Sequence, residues 1–277
     1  MSGDQKVRPP AVAGAFYPDE AAALRRALAD SFAAARLEPV DDEEGGVRPE
    51  EAVPKALVAP HAGYVYSGPV AGSAYARVRR AAGRIERVVL LGPAHRYPLD
   101  GVAVSSADAF GTPLGTVPID AEARDLVLGV PGVRVLDAAH AAEHSLEVHL
   151  PFLLDVLGAT FRLLPLVVGV TDPAVVADVL AAAWGGPETL VVVSTDLSHY
   201  LPYEEAARLD AATAAAIVAG DVGGIADRDA CGAYPLRGLL VAAARRSLPL
   251  RLLDLRSSGD TAGGRDRVVG YGAFAVG

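Results

Sequence analysis

The chain has 277 residues, 51% hydrophobic and 21% charged, with a net charge of −9, which is enough apolar material for a packed core and excludes a disordered or collagen-like chain. The balance is acidic and the arginines are scattered, so neither nucleic acid nor a membrane is an expected partner, and no apolar run approaches the ~18 residues of a membrane span. A single cysteine, Cys231, permits no internal disulfide, and the N-terminus MSGDQKVRPP lacks the apolar core of a signal peptide; both fit a reducing cytoplasm.

Residues 19–37 predict a helix, with Leu24, Leu28, Phe32 and Ala35 on one face. The acidic, glycine-containing stretch 39–51 reads as an exposed loop. Too little chain precedes it to form a separate core, so residues 1–277 are expected to make one domain. From residue 56 the chain alternates. Strands are expected at 56–59, 87–91, 101–106, 133–136, 161–168 and 189–194, and helices at 70–81, 120–129, 144–157, 173–184, 203–220 and 233–246. Continuous Val/Leu strands between amphipathic helices predict an α/β fold, a mainly parallel central sheet flanked by helices. Residues 250–258 and 267–276, joined by the glycine-rich GDTAGGRD, read as an antiparallel strand pair completing that sheet.

Three of the strands lead to a histidine: ALVAP to His61, RVVLLGPA to His95 and TLVVVSTDLS to His199. Ligands of open α/β sheets bind outside the carboxyl ends of the strands, so these three imidazoles can converge. Neutral imidazole is the commonest protein metal ligand, and two of them with an anionic group suit non-haem Fe(II). The candidate anions are Asp196, in STDLSH, and Cys231, at the start of the 233–246 helix, where a helix N-terminus favours the thiolate. The segment EHSLEVHLPFLL (143–154) is a poor metal helix, because His144 and His149 stand five apart, about 140° around a helix. It reads as a core helix carried by Leu146, Leu150, Leu153 and Leu154, with Glu143 or His144 as a group that orients a ligand. His140 is read as a surface residue. No nucleophile elbow or phosphate-binding glycine pattern is present.

The motifs RPPAVAGAFYP, APHAGYVYSG, LLGPAH, TPLG…ID, EHSLEVHLPFL, STDLSHY and ACGAYP occur in an order that resembles the Memo family, whose bacterial members are called AmmeMemoRadiSam system protein B. The resemblance covers essentially the whole chain. It implies a fold similar to the class III extradiol dioxygenases, with His61, His95 and Cys231 as metal ligands and Asp196 and His199 lining the same pocket. It also implies iron or copper, and a link to AMMECR-like and radical-SAM partner proteins. Phe16 stands where the opening motif often has Trp, and Gly-Ala-Tyr-Pro follows the cysteine where some members carry Arg-His-Pro.

Three readings follow. In the first, Fe(II) (copper second, zinc third) is held by His61, His95 and Cys231 in a redox enzyme acting on a small chelating substrate. His199 serves as acid–base, Asp196 orients it, and Phe16, Tyr64 and Tyr66 shape the substrate side. In the second, the same cleft binds a peptide or carries a metal without turnover. In the third, zinc on the same ligands activates water for hydrolysis.

Overall fold

The computed structural model describes residues 5–37 and 53–277; the loop expected at 39–51 lies outside them. An N-terminal strand, β1 (Val7–Arg8), is followed by α1 (Ala21–Ala33), β2 (Ala56–Ala59) and α2 (Tyr64–Tyr75). Then come β3 (Arg87–Pro93), β4 (Val102–Val104), β5 (Ala109–Thr112), β6 (Gly115–Pro118), α3 (Ala121–Leu128), β7 (Val133–Val135) and α4 (Asp137–Ala141). The chain continues through α5 (Leu150–Leu157), β8 (Arg162–Val168), α6 (Pro173–Ala183), β9 (Thr189–Ser194), β10 (His199–Leu201), α7 (Tyr203–Ala219) and α8 (Ala233–Ala244). It closes with β11 (Leu250–Ser257) and β12 (Val268–Val276).

The main sheet runs β10-β12-β2-β9-β3-β8-β4-β7, with β11 also on β12. Its centre, β2-β9-β3-β8, is parallel. The expected antiparallel C-terminal pair is present: β12 pairs with β11 along its length and with β2 at its end. Both faces are buried, which is why the strands read as unbroken apolar runs. Leu57, Val88, Leu90, Leu190 and Val192 face the layer of α1, α2 and α5, while Val58, Val89, Leu91, Val191 and Val193 face that of α6 and α8. On the first face α1 crosses α2 at Gly72, where a Cβ would stand 2.7 Å from the carbonyl oxygen of Ser31.

Several elements depart from expectation for identifiable reasons. The helix expected at 70–81 begins at Tyr64 and turns 3₁₀ from Ala76. The helix expected at 144–157 begins only at Leu150, after a short 3₁₀ turn. Pro151 lacks an N–H and would clash with a helical carbonyl four residues earlier, so it is tolerated only at the helix start. A second, three-stranded sheet, β1-β5-β6, and the short β10 were not expected; each of their strands is too brief for a clear period-two pattern. His140 is buried, and its Nε2 lies 3.1 Å from the carbonyl oxygen of Ala103, which corrects its reading as a surface residue.

Candidate metal centre

β2, β9 and β3 are consecutive in the sheet and parallel, so their carboxyl ends lie side by side. His61 follows β2, Asp196 follows β9 and His95 follows β3. Convergence of these residues is therefore a consequence of strand order.

His61 is buried. Its Nδ1 lies 2.6 Å from Ser194 Oγ, and that hydroxyl gives its single hydrogen to the carbonyl of Ser145. The serine oxygen can then only accept from His61, so Nδ1 carries the proton and Nε2 the lone pair. Nε2 faces Cys231 Sγ at 3.3 Å. Burial, and then the neighbouring His95 and His144, hold this imidazole well below its usual pKa, hence neutral.

The same logic fixes His95 through a different partner. Its Nδ1 lies 3.0 Å from Glu143 Oε1, and its backbone N–H donates to Oε2. Glu143 also accepts the backbone N–H groups of His144 and Ser145, both at 2.9 Å. Burial would raise this carboxyl, but the bonds from His95 and Ser145 outweigh it and hold the pKa at about 2. An ionised carboxylate only accepts, so His95 too has its proton on Nδ1 and its lone pair on Nε2. A carboxylate behind a histidine is the usual support of a metal-binding imidazole.

Cys231 lies two residues before α8. Its Sγ accepts the Asp196 N–H at 3.3 Å. The sequence favoured a lowered thiol pKa at this helix start. Instead burial, followed by the Asp196 carboxylate, pushes the thiol up to about 12. A coordinating cation removes such a proton outright. The turn behind the thiol is tight: a Cβ on Gly232 would stand 2.5 Å from Ser194 O and 2.7 Å from Thr195 Cβ. Only glycine lets the start of α8 approach the end of β9 this closely.

One ligand atom each from His61, His95 and Cys231 lies within 4.8 Å of the others. That spacing and donor set fit a cation with bonds of roughly 2.0–2.3 Å to nitrogen and sulfur. His95, Glu143 and His144 meet the same spacing. The His144 ring stacks on His95 with centroids 4.7 Å apart, meets His61 edge-on and is covered by Phe16 at 4.7 Å. Its Nδ1 is buried and lies 3.3 Å from Glu143 Oε1 without hydrogen-bond geometry. His144 is thus a third imidazole of the cluster, a place the sequence reading did not assign it. The signal was the Glu-His-Ser turn, whose carboxylate takes the two following N–H groups and so keeps His144 out of a helix.

The remaining candidates separate. Asp196 is buried, its Oδ1 accepts the His61 N–H at 2.8 Å, and burial lifts its carboxyl to about 7. No hydrogen bond joins it to His199. His199 is exposed on β10, beside the positive-φ residue Tyr200 (φ 60°). Tyr64 turns inward, its hydroxyl donating to the carbonyl of Val148 at 2.6 Å. Phe16, Tyr66 and part of Tyr64 line a groove of about 640 Å³ against α1, which none of His61, His95 and Cys231 lines.

The N-terminal segment, of which the sequence places only Phe16 at the site, also braces the 140–149 segment. Buried Arg8 donates to the carbonyls of His140 and Glu143 and pairs with Glu147. Glu147, with no exposed surface, also takes the N–H groups of Ala11 and Val12 and the Tyr17 hydroxyl.

The fold and site define an α/β protein with a two-histidine, one-cysteine cluster of candidate metal ligands beside the carboxyl ends of its central parallel strands. The family model described as Memo-like protein matches residues 8–275, and the chain belongs to that family. It is similar to the MEMO1 family protein of Aquifex aeolicus, 35% identical over 96% of this chain and 97% of the relative. The MEMO1 family protein of Ignicoccus hospitalis is 38% identical over 96% and 97%, and that of Aeropyrum pernix 37% over 98% and 100%. No helix among the described residues is long and apolar enough to cross a membrane.

Proposed function

We propose that this chain is a metal-dependent redox protein that holds Fe(II) with His61, His95 and Cys231. The reading is carried by one observation: each imidazole has its Nδ1–H committed to a buried acceptor, Ser194 or Glu143, which leaves both Nε2 lone pairs free, that of His61 facing Cys231 Sγ at 3.3 Å. Fe(II) in such a site supplies Lewis acidity toward a small chelating substrate and one-electron chemistry with O₂. The protein's own contribution is preorganisation. Ser194 and Glu143 set the tautomers, Asp196 pins the His61 backbone, and Phe16 closes one side against His144. His199, exposed at the rim, is the proposed proton carrier.

A second reading is favoured by the soft sulfur donor, which suits Cu(I): the cleft carries a metal or holds a peptide without turnover, in concert with the AMMECR-like and radical-SAM partners the family resemblance implies. Elemental analysis of anaerobically purified protein, beside a His95→Ala variant, tests both. Near-stoichiometric iron lost in the variant, with metal-dependent O₂ uptake on a catechol-like compound, supports the redox enzyme. Bound copper with no O₂ uptake supports the carrier. No metal in either protein after Fe(II) and Cu(I) are offered overturns the redox enzyme and the metal carrier and leaves peptide binding as the reading of the cleft.

A further inference from the structure

The opposite end of the same sheet carries a second concave site. Lys55 immediately precedes β2, so its Cα lies six residues, or about 20 Å of extended chain, from that of His61. A cavity of about 400 Å³ opens there, within the ~300–1,000 Å³ range of small-ligand pockets. Lys55, Arg84 and Arg246 line it, with Trp184, Ile85 and Leu248 among its apolar walls. No acidic side chain is among the described residues that line it. In a chain of net charge −9, three cations around one cavity run against the overall balance.

The three cations play different parts. Lys55 Nζ donates to the carbonyls of Trp184, Gly186 and Thr189, which ties the floor of the cavity together. Burial is the main cause that pulls its ammonium down to about 8; Glu188 opposes this, and Arg246 and Arg87 add to it. Glu188 spends its carboxylate on the Gly186 N–H and the Thr189 hydroxyl. Arg246 stacks its guanidinium over the Trp184 ring at 4.1 Å and gives one N–H to the carbonyl of Ala242. Arg84 is exposed and has no ion pair among the described residues. Guanidinium groups with free donors recognise carboxylate and phosphate in bidentate fashion. The apolar walls would bury the body of the same molecule.

We infer that this cavity is a binding site for a small amphipathic anion, an apolar or aromatic body bearing a carboxylate or phosphate, separate from the metal cluster. Trp184 is the only tryptophan in the chain, so tryptophan fluorescence, excited at the red edge where tyrosine does not absorb, reports on this cavity. The test titrates the full chain with 4-iodobenzoate and with 4-iodobenzylammonium, two quenchers of like shape and opposite charge. Saturable quenching by the carboxylate and none by the ammonium is expected. Arg84→Ala should weaken the carboxylate at least fivefold and Arg84→Glu should abolish saturation. Both variants change an exposed side chain that has no ion-pair partner among the described residues, so their melting temperatures should match the parent. His95→Ala should leave the titration unchanged, which separates this cavity from a carboxylate bound at the metal cluster. Phenyl phosphate should compete and inorganic phosphate should not, because only the former brings an apolar body to the walls of Trp184, Ile85 and Leu248. Absence of saturation, equal quenching by both probes, insensitivity to Arg84→Glu, or loss in His95→Ala would each overturn the inference.

Discussion

The two candidate ligand imidazoles are oriented by chemically different partners, a neutral hydroxyl behind His61 and an ionised carboxylate behind His95. The difference predicts unequal consequences. Glu143→Gln replaces an acceptor-only group with one whose amide end must face at least one of the N–H donors now bound there. Metal affinity should fall roughly 10–100-fold, measured by competition with a chromophoric chelator, and Ser194→Ala should cost less. Equal losses, or none from Glu143→Gln, would contradict the assigned tautomers. His61, His95 and Cys231 were legible as candidates because strand-end histidines and a unique cysteine stand out in a sequence. The inward turn of Tyr64 and the stacking of His144 on His95 were not, since neither follows from residue type or spacing.

At the scale of elements, the N-terminal segment and the 140–149 segment hold one another through Arg8 and Glu147, whose side chains are 6% and 0% exposed. Taking away one member of a buried pair leaves an uncompensated charge. Arg8→Met should therefore destabilise by about 3–5 kcal/mol, read from urea melts. Arg8→Met combined with Glu147→Leu should recover part of the loss. A loss below about 1 kcal/mol in the single variant would show that the pair does not brace the loop. The sequence reading placed an amphipathic core helix from 144 and had no means of seeing this brace, because its partners are about 139 residues apart.

For the molecule as a whole, burial lowers His140 and His144 to about 4 and His149 to about 3. Their unfolded values lie near 6.5. The folded state keeps them neutral, so their contribution to stability is complete above pH 6.5. It is lost as pH falls toward 4, where the unfolded chain binds protons the native one refuses. The slope is about 1.4 kcal/mol per pH unit for each such histidine. Glu143, held at about 2, loses its contribution only below its ordinary value near 4.5. Melting temperatures of chelator-treated protein should therefore drop between pH 6.5 and 4.5, more gently in His149→Phe. Asp196, lifted to about 7, opposes the drop with one such slope against the three histidines, so a profile that rises toward pH 4.5 would contradict the burial of these rings.

The sequence by itself determined the class of fold, the parallel centre of what is a mixed sheet, the antiparallel C-terminal pair and the identity of the ligand candidates. These are local properties: apolar run length, helical period, glycine-rich reversal and the residue that follows each strand. Only the tertiary structure decided that β2, β9 and β3 are neighbours, which side-chain nitrogen of each histidine carries the proton, and that burial rather than a helix end sets the Cys231 thiol. Those depend on which distant groups share a buried volume, and desolvation and hydrogen-bond partnership have no signature in the order of residues along the chain.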